Sequence, residues 1–258
     1  ECNNRCFFTL ADTVATTSHS ENSRSHAWIG IRFQGRTDGP TNDIILHVHL
    51  KDRLRLAQQE ALGILGVNLI FGAWYLAENE RMFVSSLMDN LTPDRIQIDY
   101  LNFSGPDLEN LNTQRASLEL LGQKSTSALI FAPNGEVLQA SDYLYNKPVM
   151  VLRGTYKPVT KMNLEILEKA KNHVEKNYKE DSKELCPLLE FTIKDVDDPD
   201  HLNYEDYLQR IEAINACGLP VLVSNFPLFY QLKSFLRKCT NKQISIIVGS
   251  SLLDKIFE

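Results

Sequence analysis

The chain has 258 residues, a hydrophobic fraction of 43% and a charged fraction of 23%. This is ordinary globular composition, enough for one large domain or two small ones, and it excludes a disordered or fibrous chain. A net charge of -6 and a pI near 5.6, without a local cluster of Lys and Arg, argue against the general attraction for phosphate backbones that duplex binders use.

In chain order, the first half reads as mixed α+β. Cys6 to Leu10 is a short strand. His26 to Phe33 and the β-branched run Ile44 to Leu50 flank the turn cluster Arg36 to Asn42, which predicts a hairpin. Arg53 to about Leu76 is a long helix with Leu54, Leu62, Leu65, Leu69 and Ile70 on one stripe. Gly63, Gly66 and Gly72 lower its intrinsic propensity by roughly 1 kcal/mol each against Ala, and their expected use is close packing against a neighbour. Met82 to Asn90 is a second helix, ended at Thr92-Pro93. Arg95 to Phe103 alternates, with Ile96, Ile98 and Tyr100 on one face and Arg95, Gln97 and Asp99 on the other. Asp107 to Leu121 is a helix. Ser127 to Ala132 and Val137 to Ala140 are paired strands around the turn Pro133 to Glu136.

The second half changes character. Apolar strands at Pro148–Leu152, Leu188–Ile193, Pro220–Val223 and Gln243–Val248 are followed by helices at Lys161–Lys176, Tyr204–Ala216, Pro227–Lys238 and from about Ser250. Such βα units predict a parallel sheet with helices on its faces. The expected fold class is therefore α/β: a mixed α+β part over residues 1–146, then a Rossmann-like parallel βα layer over 147–258. The chain starts at Glu1 and stops at Glu258 inside an apparent helix, which predicts a fragment truncated at its C-terminus.

One segment carries a chemical signal. Arg153-Gly154-Thr155-Tyr156-Lys157-Pro158-Val159-Thr160-Lys161-Met162-Asn163-Leu164 joins the first buried strand of the second half to its first helix. Ligands of open α/β sheets bind at the carboxyl ends of strands. A glycine there admits a phosphate to the backbone, and the helix N-terminus offers unpaired amides. Thr160 can cap that helix. On this reading Gly154, Thr155, Thr160 and Lys161 hold phosphates and Arg153 or Lys157 neutralises charge. A bulky residue at Gly154 would then abolish binding and leave the fold intact. The bland alternative is a Gly-Thr turn, a rigid proline and a capped helix.

The same segment resembles the first motif of the nucleotidyltransferase fold, Gly-[Ser/Thr]-[Phe/Tyr]-x-Pro-[Ile/Val]-Thr-x-x-His-Leu. Nicotinamide and nicotinate mononucleotide adenylyltransferases and phosphopantetheine adenylyltransferase carry it. Over nearly its whole length the chain also resembles an uncharacterised bacterial protein family labelled nicotinamide/nicotinate mononucleotide adenylyltransferase, in phrases such as QQEALGILGVNLIFGAWY, RIQIDYLNFSGP and KPVMVLRGTYKPVTKMN. The resemblance implies adenylyl transfer from ATP to a pyridine mononucleotide with Mg2+, Thr160 and Asn163 standing at the catalytic positions. It departs at Asn163, which replaces a histidine and cannot carry its positive charge. The family's second motif has only an echo in Ser250 to Lys255, with Lys255 near the place of the missing arginine.

Other features of the sequence also admit plainer roles. Ser224 and Asn225 end a buried strand and would lie beside Gly154 if the two strands were neighbours; they also suit an ordinary helix cap. Asp195, Asp197, Asp198 and Asp200 follow another strand, either as Mg2+ ligands or as a solvated acidic loop. His47 and His49 project to one face of a strand, with His19 and His26 upstream and Asp52 adjacent, but no third ligand is identifiable and no metal site is assigned. Five cysteines, Cys2, Cys6, Cys186, Cys217 and Cys239, are odd in number and scattered, which argues for reduced thiols in a cytoplasmic protein. No apolar run is long enough to span a membrane and no signal peptide is visible, so neither a membrane nor a nucleic acid is an expected partner. The second functional reading is a non-catalytic assembly or regulatory protein with a degenerate nucleotide site, the glycine-bearing helix packing against another subunit of a homo-oligomer.

Overall fold

The structure is a computed structural model and describes residues 6, 8–15, 25–177, 184–193 and 202–249. It is a mixed α/β protein with two sheets, and the chain divides into two compact units between Ser127 and Ala128.

The first unit is a four-stranded antiparallel sheet in the order β1 (Phe8–Ala15), β2 (Ser25–Gln34), β3 (Thr41–Leu50) and β4 (Ile96–Ser104). Strict alternation in β2 and β3 puts Ala27, Ile29, Ile31 and Phe33, then Ile44, Leu46, Val48 and Leu50, into one core. The expected hairpin is present, Ile29 opposite Leu46. That core is closed by helices α1 (Arg55–Tyr75), α2 (Glu80–Leu87) and α3 (Thr113–Gly122). The predicted helix from Asp107 is interrupted: a single 3-10 turn at Pro106–Leu108 precedes α3, whose amide at Arg115 is capped by Asn112. Two of the three α1 glycines pack closely, since a Cβ at Gly72 would meet the Phe83 ring at 3.1 Å and one at Gly66 would meet Leu10 Cδ2 at 3.2 Å. At Gly63 nothing lies within 4 Å, so close packing does not account for it.

The alternation expected for β4 fails at one place. The pairing with β3 shifts between His47 and Val48, so that Asp99 is an extra residue, a β-bulge. Beyond it Leu101 and Phe103, not Tyr100, continue the core face begun by Ile96 and Ile98.

The second unit holds β5 (Ala128–Phe131), β6 (Val137–Leu138), β7 (Val149–Arg153), β8 (Cys186–Thr192), β9 (Val221–Ser224) and β10 (Ile244–Ile247) in the spatial order β10-β7-β8-β9-β5-β6. The four strands β7 to β10 are mutually parallel where they pair, and the β5–β6 hairpin adds to β9 antiparallel. Helices α4 (Ala140–Tyr143), α5 (Lys161–Asn177), α6 (Tyr204–Asn215) and α7 (Phe229–Cys239) complete it. Val149, Val151, Leu188 and Leu222 form one core with Leu232 and Leu236 of α7 and Ala140 of α4. By alternation Leu152, Leu189, Phe191 and Val223 face the other way, and Tyr207 of α6 stacks on Phe191 there at 6.0 Å.

The break between units comes earlier than the Asn146-Lys147 boundary read from the sequence. Ala128 to Phe131 is an apolar strand whose register partners, Val221 to Ser224, lie in the second sheet. The hairpin therefore belongs with the parallel strands. The helix expected from Ser250 lies outside the described residues.

Candidate functional site

The segment Gly154 to Thr160 leaves the carboxyl end of β7 and enters α5. Gly154 donates its amide to the Glu190 carbonyl at 3.0 Å, extending the β7–β8 ladder by one bond. Tyr156 then takes φ +49°, a left-handed conformation that costs a bulky residue roughly 1–2 kcal/mol. The turn folds its ring back underneath: it is only 3% exposed and its hydroxyl donates to the Leu152 carbonyl at 2.5 Å. Burial, aided by the charge of Glu190, pushes the phenol pKa up. A Cβ on Gly154 would lie 2.8 Å from Tyr156 Cζ. The glycine is required by that ring, and a bulky residue at 154 would displace a buried tyrosine; the expectation that it would leave the fold intact is corrected.

Outward, Thr155, Lys157, Thr160 and Lys161 are exposed. Lys157 Nζ pairs with Asp206 Oδ2 of α6 at 2.8 Å, and Arg210 of α6 donates to the Thr155 carbonyl at 3.4 Å. Arg210 also bonds Asp206 and lies 5.0 Å from the Tyr207 ring centroid. These contacts fasten the turn to α6.

Thr160 and Asn163 bond each other. Asn163 Oδ1 accepts from the Thr160 amide at 2.9 Å and from its hydroxyl at 2.7 Å, and the Asn163 amide approaches Thr160 Oγ1 at 3.3 Å. This reciprocal arrangement is a capping box with Asn in the usual Glu/Gln place. It starts α5 and leaves the amides of Lys161 and Met162 without intrahelical acceptors. Thr160→Ala is expected to lose about 1 kcal/mol of unfolding free energy in urea titrations; an unchanged midpoint would mean that the cap is not its main contribution.

Arg153 is committed inward. Its Nε and Nη2 contact Oε2 and Oε1 of Glu190 at 2.5 and 3.0 Å, and its guanidinium lies 4.6 Å from the Phe229 ring centroid at the start of α7. Glu190 is fully buried and also accepts from Ser224 Oγ at 2.6 Å and Thr192 Oγ1 at 3.3 Å. Arg153, Glu190 and Ser224 thus form one polar cluster across the carboxyl ends of β7, β8 and β9. Arg153 and Ser224, ligand candidates by sequence, are thus occupied with Glu190, which is not among those candidates. The available signal was a carboxylate inside the apolar run Leu188 to Ile193, which needs a partner when buried.

Ser224 and Asn225 do not neighbour Gly154, because β8 lies between β7 and β9. Nor does either cap α7, whose entry at Leu228 is bonded by the Gln231 side chain at 3.3 Å. Asp195, Asp197, Asp198, Asp200, Ser250, Lys255, His19 and Cys2 lie outside the described residues.

In the first unit the structure supplies what the histidine pair lacked. His47 Nδ1 lies 2.5 Å from Asp99 Oδ1, His49 Nε2 lies 3.0 Å from Asp99 Oδ2, and His26 Nδ1 lies 2.9 Å from His47 Nε2. Asp52, the acid considered from sequence, instead pairs with Arg95 at 2.9 Å. Burial alone would raise the Asp99 pKa, but hydrogen bonds from His47 and His49 outweigh it and hold the carboxyl at about 2.

No described helix is long and apolar enough to cross a membrane. Searches against family models, curated proteins and solved structures return no match for the chain.

Proposed function

We propose that the second unit is a Rossmann-like layer that binds a nucleotide at the carboxyl end of β7, and that it binds without transferring an adenylyl group. The observation that carries this reading is the strand order. From β7 the chain proceeds outward through β8 to β9, then returns to the other side of β7 as β10. The order reverses between β7 and β10, and ligands of open α/β sheets sit in the crevice at such a reversal. The turn Gly154–Thr160 leaves β7 at that end. It presents exposed Lys157 and Lys161, the hydroxyl of Thr155 and the first amides of α5, a set suited to phosphate oxygens. The left-handed Tyr156 is consistent with a turn held for a purpose.

Binding is favoured over transfer for a chemical reason. The residues at the catalytic positions, Thr160 and Asn163, are engaged with each other and carry no charge, while Arg153 neutralises Glu190. Losing a charged donor at a phosphoryl transition state costs on the order of 3 kcal/mol or more. Mg2+ would accompany the phosphates of ATP rather than rest on a protein cage.

The test is thermal melting of the chain with ATP or nicotinamide mononucleotide, each with Mg2+. At ten times Kd, a ligand specific to the folded state adds about 1.4 kcal/mol of stability. The shift is expected to vanish in Lys157→Ala/Lys161→Glu, which removes both cations without setting a carboxylate against Asp206. Absence of any shift at millimolar ligand would overturn the reading.

A second reading, assembly, rests on a separate observation. Leu56, Val67, Phe71, Trp74 and Tyr75 of α1 are 78, 67, 49, 47 and 69% exposed, and with Cys6 and Phe8 the last four border an apolar groove. Sedimentation across a range of protein concentration tests it independently of nucleotide.

A further inference from the structure

The outer face of the first sheet carries a constellation unrelated to the nucleotide reading. We infer that His47, His49 and Asp99 form a binding site for a first-row divalent transition ion such as Zn2+, with His26 as a positioning residue behind His47.

The backbone brings these groups together in two steps. His47 and His49 are two apart on β3 and share its non-core face. Asp99 comes from the adjacent strand β4, where the bulge inserts it opposite the step between His47 and Val48 and aims it at both rings. With Ile98 and Leu101 both on the core side, the bulge leaves Asp99 and Tyr100 together on the non-core face. Bulges recur where a strand must re-aim one side chain beside a site.

The chemistry then selects the ion. One ligand atom from each of His47, His49 and Asp99 falls within 4.8 Å of the others. Asp99 turns one oxygen to each imidazole, at 2.5 and 3.0 Å. A metal ion entering between them takes three coordinate bonds, from His47 Nδ1, His49 Nε2 and the carboxylate; each imidazole keeps its one proton on its other ring nitrogen, and a second proton, where present, leaves to solvent. Two imidazoles and one carboxylate suit Zn2+ or Fe2+, whereas Mg2+ and Ca2+ require mostly oxygen ligands. Three protein ligands leave a coordination position open to water or a small molecule.

The surrounding groups fit this assignment. With His47 ligating through Nδ1, its Nε2 proton points at His26 Nδ1, 2.9 Å away, which fixes ring and tautomer as outer partners of metal-bound histidines do. Trp28 stands 4.8 Å from the His47 ring and Tyr100 packs edge-on against Trp28 at 5.4 Å, giving the site an aromatic wall. The His49 side chain is 22% exposed, which supplies an entry path.

The experiment uses the whole chain, stripped with chelator and titrated with Zn2+ and separately with Co2+, Mg2+ and Ca2+. Calorimetry is expected to give one equivalent of Zn2+, and Co2+ to develop visible d–d bands, while Mg2+ and Ca2+ give neither. His49→Ala should abolish stoichiometric binding with an unchanged far-ultraviolet circular dichroism spectrum. His26→Ala should weaken Zn2+ roughly 10- to 100-fold without abolishing it, the penalty of losing an outer-shell partner. Absence of stoichiometric Zn2+ on the unmodified chain, or full retention in His49→Ala, would overturn the assignment. So would Mg2+ competing on equal terms.

Discussion

Arg153→Met is expected to cost about 3–5 kcal/mol of unfolding free energy, the usual consequence of breaking a buried ion pair from one side. The reasoning starts at Glu190, which has no solvent exposure, whereas the Arg153 side chain keeps 16%. Removing the guanidinium leaves the carboxylate with only the hydroxyls of Ser224 and Thr192. Those bonds cannot neutralise its charge. The double replacement Arg153→Met/Glu190→Leu is expected to recover most of the loss, because exchanging an entire buried pair for apolar groups of similar size is often nearly neutral. Urea denaturation of the two variants checks both statements. A double variant no more stable than the single one would show that the cluster holds the sheet ends by more than charge pairing.

Asp99→Ala is expected to cost about 1–3 kcal/mol in metal-free protein at neutral pH, since the buried imidazole of His47 and the partly exposed one of His49 lose their shared acceptor. Its pH dependence separates the charge from the packing. The Asp99 carboxyl is held at about 2, below its ordinary value of 3.8. A depressed carboxyl contributes stability that is fully present above the unfolded pKa and lost as pH falls through the folded one. The unmodified chain should therefore lose on the order of 2 kcal/mol from this group between about pH 4 and pH 2. The alanine variant, lacking the group, should not, so the gap between the two narrows on acidification. A gap that stays constant from neutral pH to pH 2 would contradict the argument.

Much of the architecture is legible in the residues themselves. The Ile44–Leu50 run and its hairpin partner announce a half-buried sheet, and the strands from Val149, Cys186, Val221 and Ile244 each follow an apolar run that the eye can find. What escapes is information that no local window holds. The bulge at Asp99 hides inside a segment that alternates cleanly on paper, and it appears only when Leu101 and Phe103 claim the core. Asp99 and His47 are 52 positions apart, so their pairing is a property of the sheet and not of either strand. Strand order is likewise non-local: placing Ser224 beside Gly154 required β9 next to β7, and β8 took that position. In the glycine turn the residue types were read correctly as a turn and a helix cap. The unread part was Tyr156, whose ring and backbone explain the glycine without reference to a ligand.

The buried Arg153–Glu190–Ser224 cluster also bears on how the second sheet settles on one alignment. Apolar strands such as Val149–Leu152 and Val221–Val223 offer little to distinguish one pairing from its neighbour, since sliding by a single position exchanges one aliphatic side chain for another. Glu190 breaks that degeneracy. Moved by one residue, β8 would turn the carboxylate toward the side where Phe191 meets Tyr207, and set an aliphatic or aromatic group against the guanidinium. Misaligned β-sheets would thus carry an unmatched ion in an oily layer, a penalty that singles out the native pairing among otherwise similar competitors.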